Sequence, residues 1–563
     1  MSTSLPVLVL VTALLGLLPP AAAAQRLDPG PQVLTFFSDV DDTDQPYALY
    51  LPPGFDEARA YPLVVSLHGA GSNHRLNLRR VFGKSNAPGE TDVEASRYFP
   101  PWDDVDYLVA APYARGTMGY QGIAEKDVLD VLADVKRRFR VDANRVYLTG
   151  LSMGGGGTLW LGLTRPDVWA AIAPVCPAAP SGTEVFAPNA LHVPVHLFQG
   201  AADTVVPTAG VRAWADRLRA LGTAVEYTEY PGVGHNSWED AYAGGQIFDW
   251  FAQFRRDPFP ERVRFTSDRH AYDRAYWIRL DALTPGTPAH LDAAFTETNR
   301  IAVETTDLDG FTITLAGHPR YAPGQEVVVT IDGTRLTVPS ADTLSFRRVA
   351  GRWEAGMADP AGVRKRAGAE GPIRAVVAGR HLYVYGTGGD PSDETIAARR
   401  AQAEVAANWS VYRGPFLGRI FVFPRVVADR DVRPSDLESA NLVLFGTAET
   451  NGLIARFADR LPLRLDPAAT DDFGLVYVFP IGGRYVLVNE GLPWWHVAEG
   501  AERPWSFGGP VPAFDLMGMP DFRLFRRSAE AVVAEGRFDT RWRVPAEDTA
   551  ALRATGVVTV REE

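Results

Sequence analysis

At 563 residues the chain is too long for one hydrophobic core and should divide into several units of ordinary domain size. With 46% hydrophobic and 22% charged residues it has the composition of a folded globular protein, which excludes a disordered one. A formal net charge of −12 argues against a nucleic-acid backbone as partner, leaving small molecules, polymers or proteins.

The chain opens with an apolar stretch, Leu5 to Leu18, followed by Pro19-Pro20 and four alanines ending at Ala24. A short apolar run and small residues before polar QRLD form the pattern of a secretory signal, although no Lys or Arg precedes it. Residues 1–24 are therefore expected to be removed on export, giving a secreted or periplasmic protein without stable membrane insertion. An uncleaved anchor is the alternative, and the run is short for a spanning helix. The single cysteine, Cys176, excludes internal disulfides, and its apolar, proline-bracketed setting reads as a small buried hydrophobe.

Residues 25–258 alternate strand and helix patterns. YPLVVSLHG, DYLVAAPYA, NRVYLTG, VPVHLFQG and AVEYTEY read as buried strands, and between Ile123 and Phe139 the residues Val128, Leu132, Val135 and Phe139 recur at helical spacing. Such alternation predicts an α/β unit: a mostly parallel sheet with helices on both faces. Residues 259–350 predict a small β-rich unit, because IAVETTDLDGFTITL and VVVTIDGTRLTV each set Asp-Gly between alternating apolar residues, a hairpin signal. Residues 351–370, rich in Ala, Gly and Arg, read as a linker. In 371–545 the stretches HLYVYGTGGDPSDETIAARR and NLVLFGTAETNGLIARF both run strand, Gly-Thr, helix, with Ser392 as N-cap of the first helix. They predict a second, smaller α/β unit, leaving 546–563 as a tail.

Gly150-Leu151-Ser152-Met153-Gly154 matches G-x-S-x-G, a sharp strand-to-helix turn that lifts a serine hydroxyl above a sheet. In a chain with 52 glycines the match alone is weak, but the apolar strand before it and the helix ending before Arg165-Pro166 supply the required setting. A serine hydroxyl needs a base, and the base needs an acid to fix its tautomer. Asp203 follows a strand 51 positions after Ser152, and His235 follows another strand 32 positions later, room for one or two strand-helix units each. Each residue alone has a bland reading, as turn former or solvated loop residue. Their order and placement together point to a nucleophilic triad.

Donors for a developing oxyanion are normally backbone amides. Met153, after the serine, offers one; the His68-Gly69-Ala70-Gly71 loop offers the other, at Ala70 first and Gly69 next. His68 is read as holding that loop and Trp238 as a residue that could line a substrate pocket, while Trp169 reads as structural first and as pocket lining second. His192, His196 and Asp167 read as packing residues. No His, Asp and Glu cluster has metal-ligand spacing, and Gly386-Thr-Gly-Gly389 is neither a dinucleotide fingerprint nor a P-loop, so neither metal nor cofactor is expected.

The pieces QPYALYLPPGF, PLVVSLHGAG, AEKDVLDVLADVKRRFRVDANRVYLTGLSMGG, FQGAADTVVP and GVGHNSW make residues 45–255 resemble the α/β-hydrolase superfamily. They are nearest secreted esterases of the polyhydroxybutyrate-depolymerase and feruloyl-esterase type, and also similar to prolyl oligopeptidase-like hydrolases. The resemblance implies Ser152, Asp203 and His235 as triad and a small-molecule or polymeric ester as substrate. A peptidase for short peptides is the second reading, although no β-propeller precedes the hydrolase unit. A polymer- or surface-binding protein on an inactive scaffold is the third.

Overall fold

A computed structural model of the chain describes residues 27–357, 364–409, 420–497 and 511–561, so the expected signal segment lies outside the described residues. Strands β1 (Gly30–Ser38), β2 (Thr43–Leu51), β3 (Tyr61–Leu67), β4 (Leu108–Pro112), β5 (Val141–Leu151), β6 (Ala171–Val175), β7 (Val195–Gly200) and β8 (Val225–Tyr230) form one sheet in the order β1-β2-β4-β3-β5-β6-β7-β8. β1, β2 and β4 pair antiparallel, and from β4 through β8 every pairing is parallel. Every residue of β3, β4 and β6 is buried, as helices packed on both faces require.

Helices α1 (His74–Val81), α2 (Asp92–Ala95), α3 (Ile123–Arg138), α4 (Met153–Thr164) and α5 (Thr208–Ala220) connect these strands. The expected period holds in α3, which buries Val128, Leu132 and Val135, together with Val131, and ends at Phe139. Two strand expectations change. AVEYTEY is not a buried strand: β8 is the sheet edge and its residues are half-exposed or exposed. β6 escapes a hydrophobic scan because its alanines and proline carry little apolar surface, yet it sits centrally beside the elbow strand.

Next come β9 (Arg262–Ser267), β10 (Arg274–Ala275), β11 (Ile278–Leu283), β12 (Ala289–Glu297), β13 (Arg300–Thr306), β14 (Leu308–Thr314), β15 (Val327–Ile331), β16 (Thr334–Val338), β17 (Thr343–Val349) and β18 (Arg352–Ala355). They form two five-stranded sheets, β10-β11-β14-β17-β18 and β16-β15-β13-β12-β9, over one apolar core. The hairpin around Asp332-Gly333 forms as expected. The one expected at Asp309-Gly310 does not: β13 and β14 lie in different sheets, and the chain crosses between them at Asp307, whose φ is 52°. Gly310 instead lies inside β14, where an added Cβ would stand 3.3 Å from Ala282 at a bulge in β11. β18 also falls inside the stretch read as linker and completes a sheet.

The last sheet holds β19 (His381–Tyr385), β20 (Arg425–Ala428), β21 (Asn441–Phe445), β23 (Phe473–Ile481), β24 (Arg484–Gly491), β25 (Phe522–Arg526) and β26 (Val532–Gly536), in the order β20-β19-β21-β24-β23-β25-β26. The paired strand-helix echo is real: β19 and β21 lie side by side and parallel, and the Ser392 side chain caps the helix after β19. The segment read as a tail is structured, since Ala546–Ala554 is helical and β27 (Val558–Val560) pairs with β22 (Leu463–Leu465). The core of this last unit includes Val40 and Ile123 from the first, so the two units pack against each other through those residues while the first keeps apolar clusters of its own.

Candidate active site

Ser152 joins β5 to α4 with φ 55° and ψ −115°, a conformation that costs an L-residue free energy and persists only when its surroundings enforce it. The surroundings do so by backbone contact. The Ser152 amide donates to the Val175 carbonyl at 2.9 Å, and its carbonyl accepts from Ala178 at 3.1 Å. A Cβ on Gly150 would stand 2.7 Å from the carbonyl carbon of Gly154, and one on Gly154 would collide with the Leu67 and His68 carbonyls. Gly155 faces the Val175 carbonyl and Pro177, Gly156 faces Ala178, and Gly157 faces the Tyr120 ring. The glycine run therefore lets the first turns of α4 lie against the ends of β3 and β6.

The structure brings the three sequence-selected residues together. His235 Nε2 lies 2.9 Å from Ser152 Oγ, and its Nδ1 lies 2.8 Å from Asp203 Oδ2. A carboxylate only accepts, so Nδ1 carries the proton and Nε2 is left to accept from the serine hydroxyl. Asp203 is buried, and its other oxygen accepts the Val205 and Val206 amides at 2.8 and 2.9 Å. Burial would raise the Asp203 carboxyl, but the hydrogen bonds from His235 and from the Val206 and Val205 amides outweigh it and hold the carboxyl below its usual range. Gln199, which sequence reading passed over, donates to Asp203 Oδ2 at 3.1 Å and to the Val206 carbonyl at 2.9 Å, fixing the acid loop. Its only sequence signal is a buried polar residue at the end of a strand.

Beside the elbow, a Cβ on Gly69 would stand 2.7 Å from Leu151 Cδ1 and 3.5 Å from Ser152 Cβ, so the His68–Gly71 loop runs directly past the serine. Among the described residues the amides of Met153 and Ala70 donate to no protein acceptor. His68 is fully buried, with one ring nitrogen 2.8 Å from the Gly69 carbonyl and the other 2.8 Å from the Tyr113 carbonyl. Burial pulls its pKa down, and it holds the loop without lining a pocket. Thr117 Oγ1 accepts the Gly71 amide at 2.8 Å and fixes the loop from the other side.

Trp238 stands with its ring perpendicular to His235, centroids 5.5 Å apart, and carries the Arg80 guanidinium on its face. Its Nε1 is buried without a partner among the described residues. Trp169 is not a pocket residue: it is wholly buried and donates to the Leu161 carbonyl at 3.1 Å, because the turn before β6 tucks it under α4. His196 stacks on Phe198 and His192 contacts the Arg262 carbonyl, both as packing residues.

Cys176, Asp203 and His235 each bring one ligand-capable atom within 4.8 Å of the others. The set does not suit a metal ion. Both His235 nitrogens are already engaged, and burial pushes the Cys176 thiol up to about 12, away from the thiolate a metal needs.

Residues 41–194 match the esterase family model, described as "Putative esterase"; the match includes Ser152 and stops short of Asp203 and His235. A rice (Oryza sativa subsp. japonica) protein named "Probable carboxylesterase" is 27% identical over 205 residues, 33% of this chain and 76% of its own length. "Probable feruloyl esterase C" of Aspergillus oryzae is 26% identical over 209 residues, 36% of this chain and 71% of its own. Among solved structures, a CE1 ferulic acid esterase from Anaeromyces mucronatus aligns with TM-score 0.31 and 20% identity over 39% of this chain and 90% of its own. A thermostable esterase aligns with TM-score 0.33 and 23% identity over 40% of this chain and 63% of its own. With its parallel-rich sheet and its serine elbow, the first unit has the α/β-hydrolase fold, and residues 41–194 within it are similar to esterases.

Proposed function

We propose that the protein is a serine hydrolase of carboxylic esters that works through an acyl-enzyme. The observation that carries this reading is the unbroken hydrogen-bond chain from Asp203 through His235 to Ser152 on a strained elbow. Ser152 Oγ attacks the acyl carbon while His235 Nε2 takes its proton. The tetrahedral oxyanion is held by the amides of Met153 and Ala70. His235 then protonates the leaving alkoxide, which departs as the alcohol. Water attacks the acyl-enzyme by the same route in reverse roles, releasing the acid and regenerating Ser152. Asp203 keeps the Nδ1 proton in place and stabilises the imidazolium formed at each step.

Aromatic acyl esters are the first substrates to assay, because one curated relative is named a feruloyl esterase. Among the described residues no helix is long and apolar enough to cross a membrane, and the leader before Gln25 supports export, which N-terminal sequencing of the mature protein tests. The decisive experiment is labelling with a fluorophosphonate and turnover of a p-nitrophenyl acyl ester panel. Label mapped to Ser152, with turnover abolished in Ser152→Ala, is the expected result; full ester turnover in that variant would overturn the reading.

A further inference from the structure

Between the first unit and the last sheet lies a cavity of about 390 Å³, separate from the elbow, since none of Ser152, Asp203 and His235 lines it. Its walls are mainly apolar. Ile123 and Trp160, on α3 and α4, face it from the first unit, and Trp409 and Phe514 face it from the last. Its charged groups are paired with one exception. Arg165 donates to Glu125 at 2.9 Å, Arg269 to Asp268 at 2.6 and 2.9 Å, and Lys126 to Asp130 at 2.6 Å. Glu370 accepts the amides of His270 and Ala271. Arg374, on the short helix Ile373–Val377, makes no salt bridge or hydrogen bond among the described residues; the Asp268 carboxylate acts on it only at a distance and is already paired with Arg269. Burial and the nearby Arg269 guanidinium both work against its charge, so an anion beside it would be favoured.

We propose that this cavity binds an amphipathic monocarboxylate, its carboxylate paired with Arg374 and its aromatic or aliphatic body held between Trp160 and the Trp409–Phe514 wall. A single negative charge completes the pairing, whereas a second would be buried without a partner. A small inorganic anion would satisfy Arg374 and leave the apolar walls wet. A guanidinium offers the planar, two-pronged donor pair that a carboxylate accepts. The cavity's size falls within the usual range of small-molecule sites. An apolar monocarboxylate is also the class of acid that ester hydrolysis releases, so the site is suited to sensing product; its existence does not depend on that activity.

The test is calorimetric titration of the full chain carrying Ser152→Ala with 3-phenylpropanoate, octanoate and methyl 3-phenylpropanoate. One-site binding of at least one acid, none of the neutral ester, and at least tenfold weaker binding after adding Arg374→Gln is expected. Arg374→Lys should restore part of the affinity. Ala375→Leu, which keeps Arg374 and narrows the cavity, guards against a folding defect at Arg374 and should weaken binding as well. Absence of acid binding, or binding unchanged by both Arg374→Gln and Ala375→Leu, would overturn the proposal. Because the readout is heat of binding in a Ser152→Ala background, its failure is distinct from failure of the esterase reading.

Discussion

Arg115 and Phe421, 306 positions apart in the chain, exchange hydrogen bonds: Nη1 donates to the Phe421 carbonyl at 3.3 Å, and the Phe421 amide donates back to the Arg115 carbonyl at 3.3 Å. The same buried guanidinium takes Asp41 at 2.6 Å, Asp127 at 2.7 Å and Ser38 Oγ at 2.6 Å. Asp41 also accepts the Phe423 amide at 2.8 Å. This cluster ties the last unit to the loop after β4, and that loop supplies the Tyr113 carbonyl and Thr117 hydroxyl that hold His68 and Gly71. The C-terminal residues are thus part of the frame behind the Ala70 amide, not a tethered appendage.

Arg115→Met should therefore affect both stability and rate. Removing one partner of a buried ion cluster leaves Asp41 and Asp127 unpaired, a loss of about 3–5 kcal/mol. Denaturant unfolding should show that loss. Ester turnover measured well below the new midpoint should also drop, because the loop carrying Ala70 loses a support. Unchanged turnover in folded Arg115→Met would mean that the His68–Gly71 loop holds its position without the last unit.

Asp203→Asn tests the triad by its tautomer. An asparagine would keep the volume and could still accept from Val205 and Val206, but its amide nitrogen would face His235 Nδ1 and turn the Nδ1 proton away. Nε2 would then carry the proton and could not accept from Ser152. A fall in kcat of roughly ten-thousand-fold is expected, with a stability loss of about 1–3 kcal/mol because the same amide nitrogen also faces the Gln199 amide donor. Gln199→Leu, which frees the acid loop without altering the carboxylate, should cost far less, and a pH-rate profile of both variants separates the two effects.

The elbow, the meeting of Ser152, Asp203 and His235, and the strand-helix alternation are legible in the sequence because each rests on local chemistry: a glycine where backbone must touch backbone, an aspartate and a histidine just past strand ends. Trp169 admits both a structural and a pocket reading in the sequence, because an aromatic near a strand looks the same whether it faces a pocket or α4; packing decides for α4. Asp309-Gly310 carried a hairpin signal, but glycine is also the residue a strand uses where a neighbouring bulge presses in, as Ala282 does. Gln199, Arg115 and Arg374 escaped for another reason. Arg115 takes partners as far as 306 positions away and Arg374 makes no ion pair among the described residues, while Gln199 reaches Asp203 and Val206 only four and seven positions on, through a loop shape that no spacing rule encodes.

The helical glycines give a paired prediction. Gly156→Ala drives a Cβ into the Ala178 backbone, whose amide is tied to the Ser152 carbonyl, whereas Gly210 in α5 has open space around its missing Cβ. Gly156→Ala should destabilise by about 1–3 kcal/mol or more through overpacking. Gly210→Ala should stabilise by about 0.4–1 kcal/mol, since α5 keeps its conformation and the unfolded chain loses freedom. Thermal unfolding of both variants checks the sign as well as the size, and the fluorophosphonate labelling rate should fall only in Gly156→Ala.

Glu490 provides the pH test. It is buried in β24, and its carboxylate accepts the Leu465 amide. Burial pushes its pKa up to about 7, against the lowering effects of the Leu465 amide and Arg464, and with a small upward push from Glu449. In the unfolded chain it returns to its ordinary value near 4.5. Below that value both states hold the proton and the residue resembles a glutamine. Between the two values the folded state keeps a proton that the unfolded state gives up, so stability falls as pH rises, and the deficit is complete above about 7. Glu490→Gln keeps an oxygen for the Leu465 amide and removes the ionisation. The variant should match the parent near pH 4 and exceed it by on the order of 3 kcal/mol near pH 8. Subtracting the two stability curves cancels the contributions of Glu370 and Asp127, which burial also raises. A difference that is flat with pH would mean that Glu490 binds its proton equally in the folded and unfolded chain, the Leu465 amide and Arg464 having offset its burial.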